Sequence, residues 1–290
     1  MPKTQAAPTP QAAPAAEVGL LDQIVEQGRF GKDAPAKERG KDIIKRFVSE
    51  VLEGSITMAR DTEAMLNARI AQLDHLISLQ LNEVMHAPEF QKLEATWRGL
   101  KYLLSQSETS VMLKIKILNV SKKDLLRDLQ RAPEFDQSAL FKKVYEEEYG
   151  VFGGAPFGAL LGDFEFSRSG QDIELLEKVS QVAAAAHAPF ITAASSEMLN
   201  LESFAQLDAP RDLGKIFDST EYAKWKAFRQ TEDSRYVALT VPRMLLREPY
   251  GKDTVPVEAF QYEEHVDGTE HNKYLWGNAA WALGSRVTQA

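Results

Sequence analysis

The spacing of apolar residues changes along this chain of 290 residues, and the change separates a helical part from a mixed part. Between Asp42 and about Glu108, apolar residues recur every three or four positions, as on one face of an amphipathic helix. The first long run comprises Leu66, Ile70, Leu73, Ile77 and Val84. Ala87-Pro88 ends that helix. The next stripe comprises Leu93, Trp97, Leu100 and Leu104. The pattern predicts a helical hairpin or pair.

The period then falls to two, which is typical of a half-buried strand. In 111–119, Val111, Leu113, Ile115 and Ile117 face one way, with lysines opposite. Ser121-x-x-Asp124 resembles a capping box and predicts a helix through Gln130. Another helix is predicted from Pro133 through Glu148.

Strand and helix patterns alternate in the remainder of the chain. Strands are predicted at 158–166, 190–194 and 236–241, and helices at 172–186, 218–229 and 274–288. Such alternation predicts parallel strands joined by helical crossovers. So few strands make an incomplete sheet, and the chain stops as its last helix ends. We therefore expect this chain to be the front portion of a longer protein.

The N-terminal 45 residues read as flexible chain interrupted by one short helix. Residues 1–16 are mostly Ala, Pro, Gln and Thr, which favours a flexible tail. Residues 17–30 place four apolar side chains on one helical face: Leu20, Leu21, Ile24 and Val25. Residues 31–45 are polar and read as a linker. A helix this short needs a docking surface, either a partner's groove or its own domain. A strand-forming arm fits the spacing less well.

Composition excludes several classes of function. The chain has no cysteine, which removes disulfides, thiolate metal sites and cysteine nucleophiles. Its net charge of −8 argues against a polyphosphate as main partner. We find no signal peptide and no apolar stretch long enough for a membrane span, so we expect a cytoplasmic protein without membrane insertion.

No motif for catalysis or cofactor binding emerges. The glycine-rich stretch 150–158 lacks the Lys-Ser/Thr ending of a phosphate loop and reads as a tight turn. Asp163 and Glu165 follow it, and solvent-facing or cap-pairing acids fit better than a magnesium site. The acids and histidines of 263–271 have no standard metal spacing, so a solvated loop is the simpler interpretation. Ser195-Ser196 has no base that the sequence can place. The basic residues of 32–46 are interleaved with acids and read as a solvated linker. We predict no enzyme, cofactor, metal or nucleic-acid partner.

Several stretches resemble one known family. The longest is Ala87-Pro88-Glu89-Phe90-Gln91-Lys92-Leu93-Glu94-Ala95-Thr96-Trp97-Arg98-Gly99-Leu100. Others are 150–154, 162–166, 187–190, 235–247 and 274–280. Together they resemble the TssC (VipB) family, the large subunit of the contractile sheath of type VI secretion systems. The likeness runs from about residue 17 to the end and covers the front part of the family's usual chain.

The resemblance implies partners and a mechanism. Such proteins pair with the small subunit TssB (VipA) through intertwined helices and strands. The heterodimers polymerise around a tube of Hcp, and contraction ejects the tube. The AAA+ ATPase ClpV then recycles the sheath by grasping the N-terminal segment of TssC. Leu20, Leu21, Ile24 and Val25 match that recognition helix in position and character. The resemblance also implies that the region beyond this chain supplies the rest of the core and strands that interlock neighbours.

The predicted fold class is α/β, with a helical N-terminal region followed by an incomplete mixed α/β sheath-type domain. The predicted parts are a tail (1–16), an ATPase-recognition helix (17–30), a linker (31–45), a helical region (46–108) and an α/β sheath domain truncated at its C-terminal end (109–290). The predicted function is a structural sheath subunit. The alternatives are a non-catalytic scaffold or chaperone-like interaction domain, and a hydrolase whose site a missing part completes.

Overall fold

The computed structural model describes residues 34–52, 62–209 and 212–289. The chain divides into two compact units, 1–72 and 73–290. Helix α1 (Ala34–Leu52) belongs to the first unit, and helix α2 (Thr62–Met85) begins there. Helix α1 covers much of the segment predicted as a linker. Since a helix can connect two parts of a chain, the linker role stays a prediction, as do the other domain boundaries.

The next two helices lie in the second unit. Helix α3 (Pro88–Gln106) begins with proline at its first turn, where the missing N–H is not needed. Helix α4 (Lys122–Arg131) begins at Ser121, whose hydroxyl accepts a hydrogen bond from the Asp124 N–H at 3.1 Å. The predicted cap at Ser121 is therefore confirmed. The predicted helix 133–148 is shorter, with α5 (Ala139–Phe141) continuing into a π-helical turn (Lys142–Glu146).

A parallel sheet of three strands forms the centre of the second unit. Strands β1 (Leu160–Phe166), β2 (Phe190–Ala194) and β3 (Val237–Thr240) lie in that order, and Phe190 of β2 is in register with Leu160 and with Val237. Helix α6 (Gly170–Ala185) packs on the sheet and buries Leu176 and Val182 completely. The strand–helix–strand prediction is confirmed for this part.

A second, antiparallel sheet was not predicted. Strands β4 (Met244–Arg247) and β5 (Leu275–Gly277) pair with each other. The segment 274–288 therefore starts as a strand, and its helix, α9 (Ala280–Val287), begins later than expected. Two further helices, α7 (Leu213–Ile216) and α8 (Ala223–Gln230), lie between β2 and β3.

The strand predicted at 111–119 is wrong. Residues 111–112 form a bend, the rest of the segment has no regular secondary structure, and no strand pairs with it in the described part of the chain. Its apolar side chains are largely exposed, with Ile117 at 69% and Val111 at 85%. Alternation predicts which face a strand would bury, whereas a ladder also requires a neighbouring strand.

The predicted fold class is confirmed as a mixed α/β structure with a helical N-terminal region. Within the ranges described, none of the helices is both long enough and apolar enough to cross a membrane.

Candidate functional site

Helix α3 is apolar on two opposite sides, and only one of them is buried in the described structure. On the buried side, Leu103 is 2% exposed and Gly99 lies against the indole of Trp281 in α9. A Cβ at position 99 would collide with that ring, so the close approach of the two helices requires glycine. Because residues advance about 100° along a helix, positions 93, 97 and 104 fall on the other side.

The other side of α3 carries exposed large apolar side chains, which we call the α3 stripe: Leu93, Trp97 and Leu104. Trp97 is 63% exposed, Leu93 57% and Leu104 44%. Within the second unit, α2 also exposes Leu73, Ile77 and Val84, at spacings of four and seven residues. Single exposed apolar residues are ordinary, but rows of this kind mark surfaces that bind other chains.

A buried polar network holds β4 against the start of α3. Arg247 donates from Nη1 and Nη2 to the two carboxylate oxygens of Glu264, the Nη2–Oε1 distance being 3.1 Å. The Arg247 Nε donates to Glu94 Oε1 at 3.0 Å, and Arg98 Nε reaches the same oxygen at 2.6 Å. The His86 Nε2 lies 3.2 Å from Glu264 Oε1.

The ionised state of this network follows from its geometry. Burial alone would raise the pKa of Glu264, but hydrogen bonds from Arg247 and from the Tyr250 N–H hold that pKa below its usual range. For Arg247 burial acts in the opposite direction and by itself would lower the pKa. The hydrogen bond to Glu264 and the charges of Glu264 and Glu94 outweigh it, and the pKa of Arg247 is raised. Burial, followed by the charge of Glu264, raises the pKa of Tyr262 to about 12. The Tyr262 hydroxyl donates to Asn82 Oδ1 at 2.8 Å.

An open cleft of about 550 Å³ lies beside the network. Its walls are mainly apolar and aromatic, and the polar side chains Glu94 and Arg98 are already bonded to each other. The lining residues are Leu81, Met85, Phe90, Glu94, Arg98, Tyr250, Pro256, Val257, Phe260 and Tyr262. This arrangement can receive an apolar side chain of another chain, whereas its charged groups are engaged in holding the fold.

The acids considered from the sequence have structural partners. Thr96 Oγ1 donates to Asp163 Oδ2 at 2.6 Å, and Arg243 binds both oxygens of Glu165 at 2.5 and 2.6 Å. Within 263–271, Asp267 accepts the Thr269 N–H at 2.9 Å, as in a turn. Among the residues that the structure describes, no group of three or more acids and histidines is placed to hold a metal ion.

The glycine-rich stretch is a turn, as its sequence predicts. Gly153 has a φ of +82°, which favours glycine, and the Ala155 N–H donates to Glu148 Oε2 at 3.2 Å. Hydrogen bonds from Lys116 and then from Ala155 lower the pKa of Glu148. Phe152, at the tip, is fully exposed.

The residues predicted to bind the ATPase lie outside the described residues. Leu20, Leu21, Ile24 and Val25 therefore keep their predicted role as a prediction. Sequence reasoning found the α3 stripe as an apolar row but assigned it to packing within a helix pair. It missed the pairing of Arg247 with Glu264, since nothing in the acidic segment distinguishes Glu264 from its exposed neighbour Glu263.

The comparisons with known proteins agree on one family. A family model described as VipB, the EvpB/VC_A0108 tail sheath N-terminal domain, matches residues 67–290. The type VI secretion system sheath protein TssC1 of Pseudomonas aeruginosa is 44% identical over 261 residues, which make up 89% of this chain and 52% of TssC1. The chain thus spans about half the length of that curated relative. It belongs to the VipB/TssC family of type VI secretion sheath proteins.

Proposed function

We propose that this chain acts as a structural subunit of the type VI contractile sheath in the cytoplasm. It pairs with the small sheath subunit TssB, and the heterodimers polymerise around the Hcp tube to drive its ejection. ClpV recycles the contracted sheath. The observation that carries the proposal is the α3 stripe, an exposed apolar row on a helix whose opposite side is packed against its own core.

The physical argument for TssB as the partner starts from burial energy. Fully burying a large apolar side chain contributes about 1.5–3 kcal/mol, so covering the half-exposed side chains of Leu93, Trp97 and Leu104 supplies part of the free energy that holds a partner helix. A helix laid along such a row makes contacts at three- and four-residue intervals. Since α3 is fixed by Trp281 on its other side, little ordering is needed on binding.

Sheath action requires no bond chemistry in this subunit. The charged side chains nearest the cleft are paired with each other, and their role is to fix β4 and α3. Contraction then consists of cooperative rearrangement at many identical interfaces. The predicted helix 17–30 serves ClpV, and weak capture of one copy becomes effective when many copies lie along a sheath.

Co-production with TssB tests the pairing. We expect the chain and TssB to elute together in equal amounts from size-exclusion chromatography. Electron microscopy of the mixture then reports whether longer polymers form. A chain that elutes alone, with TssB in separate fractions, would contradict the proposed pairing.

A further inference from the structure

Helix α2 carries a row of residues with heptad spacing, which we call the α2 seam. Its members follow one another at alternating steps of four and three residues: Leu66, Ile70, Leu73, Ile77, Gln80 and Val84. This spacing is that of positions a and d, through which two helices of a coiled coil pack. The five apolar members are all exposed, by 43% to 55%. The seam is therefore open to a second helix.

A different side of α2 packs within the second unit and fixes the helix there. Ser78, Asn82 and Met85 are buried, and Asn82 Oδ1 accepts a hydrogen bond from the Tyr262 hydroxyl at 2.8 Å. On a helix, these buried positions fall about a third of a turn away from the seam. The C-terminal part of the seam is therefore held in place before any partner binds, which lowers the entropic cost of binding.

The residue types along the seam favour two parallel helices. The a positions hold only β-branched side chains: Ile70, Ile77 and Val84. Two of the three d positions hold leucine, and β-branched residues at a with leucine at d favour a parallel pair over larger bundles. The third d position is Gln80. Its amide both donates and accepts, so it can bond to Gln80 of a second copy across a parallel pair.

The residues beside the seam complement each other between two copies. In a parallel pair, position g of one helix faces position e of the following heptad in the other helix. Arg69 occupies g, and Asp74, five residues later, occupies e. Two copies would therefore form two identical Arg69–Asp74 ion pairs, related by a twofold axis. The next such positions, Leu76 and Leu81, are apolar and would widen the contact.

The same residues disfavour an antiparallel pair. With the two seams aligned over their full length, Arg69 would face Glu83 of the second copy, which is favourable. However, Asp74 would then face its own counterpart, and like charges repel. Gln80 would face Ile70 instead of another amide, and a polar group without a partner in an apolar contact is costly. The parallel arrangement avoids both conflicts.

We infer that two copies of this chain associate through their α2 seams as a parallel, two-stranded coiled coil. The contact is self-complementary, so it closes at two copies. This association goes beyond the pairing with TssB, which we assign to the α3 stripe, and it does not depend on that pairing.

Cross-linking through single cysteines tests the contact and its direction. The chain has no cysteine, so a disulfide between two copies forms only at an introduced position. Equal seam positions face each other in a parallel pair. We therefore expect Ile77→Cys and Val84→Cys each to give a disulfide-linked dimer under mild oxidation with diamide. Leu79→Cys, on another side of α2, should remain monomeric on a non-reducing gel.

Sedimentation velocity of the full chain measures the strength of the association. Ile77→Asp should weaken it at least about tenfold. Leu79→Asp is the matched control because both side chains are 48% exposed, and it should leave self-association unchanged. Asp74→Arg should weaken self-association about threefold, and Arg69→Asp combined with Asp74→Arg should restore it, since the exchange re-creates both ion pairs.

Four results would overturn the inference. The first is a wild-type chain that stays monomeric at all concentrations. The second is equal weakening by Ile77→Asp and Leu79→Asp. The third is cross-linking at position 77 without cross-linking at position 84, which would indicate an antiparallel pair. The fourth is loss of both cross-links when equimolar TssB is present, which would make TssB the occupant of the seam.

Discussion

Arg247 and Glu264 form a buried, two-pronged ion pair that joins the end of β4 to the segment before β5. Both side chains are nearly inaccessible, at 4% and 1% exposure, and Arg247 also bonds Glu94 in α3. Three stretches far apart in sequence thus meet at one guanidinium. Planar, bidentate geometry of this kind suits arginine and not lysine.

Removing the charge of Glu264 should destabilise the second unit. Glu264→Gln leaves Arg247 without its main counter-charge, and breaking such a pair costs about 3–5 kcal/mol. Urea unfolding at neutral pH measures the loss. Glu263→Gln, at the exposed neighbouring position, is the matched control and should change stability by less than about 0.5 kcal/mol.

The same pair predicts a pH dependence. The folded pKa of Glu264 lies below its ordinary value of 4.5, so the folded state binds this proton more weakly than the unfolded state. The stabilisation is therefore complete above the unfolded pKa and is lost as the pH falls through the folded pKa. Wild type and Glu264→Gln should converge in stability at acidic pH. A constant difference between them from neutral to acidic pH would contradict this assignment.

The contact between Gly99 and Trp281 predicts a steric effect at α3. Gly99→Ala places a methyl group where the indole ring lies, and overpacking of this kind costs about 1–3 kcal/mol. Gly158→Ala is the control because a Cβ there meets no atom within 4 Å. Thermal unfolding compares the two. Equal melting temperatures for both variants would mean that α3 and α9 do not approach closely.

Placing charged side chains on the apolar face of the predicted helix 17–30 tests its role in binding ClpV. Leu21→Asp together with Ile24→Asp places two carboxylates on its apolar face, so ClpV binding should be lost while TssB pairing persists. Gln23→Asp, on the other side of the predicted helix, should spare both. Pull-down with each partner gives the readout. Loss of TssB pairing in the double variant would contradict the assigned role.

Local signals in the sequence predicted much of the fold. Ser121 marked a helix start correctly, Ala87-Pro88 marked the end of the preceding helix, and the strand 190–194 was predicted residue for residue. These features depend on neighbours along the chain. The pairing of β4 with β5 depends on residues about thirty positions apart, and the local spacing of apolar residues does not indicate such a contact.

The surfaces were harder to predict than the elements. Alternation at Val111–Ile117 predicted a buried face, but a strand needs a neighbour that sequence periodicity does not supply. The stripe at Leu93 and Trp97 was recognised as apolar, and only the packing of Gly99 against Trp281 shows that it lies on the exposed side. In the sequence, Glu264 does not differ from other acidic residues of a loop; only the structure shows that its carboxylate pairs with Arg247.

The affinity of TssB for three forms of the chain tests the central claim most directly. Wild type, Leu93→Asp and Leu213→Asp are titrated with labelled TssB; Leu213 is an exposed leucine on a different helix, α7. The account predicts tight binding by wild type and Leu213→Asp, and at least about tenfold weaker binding by Leu93→Asp. Equal affinity in all three forms, or no binding by wild type, would contradict it.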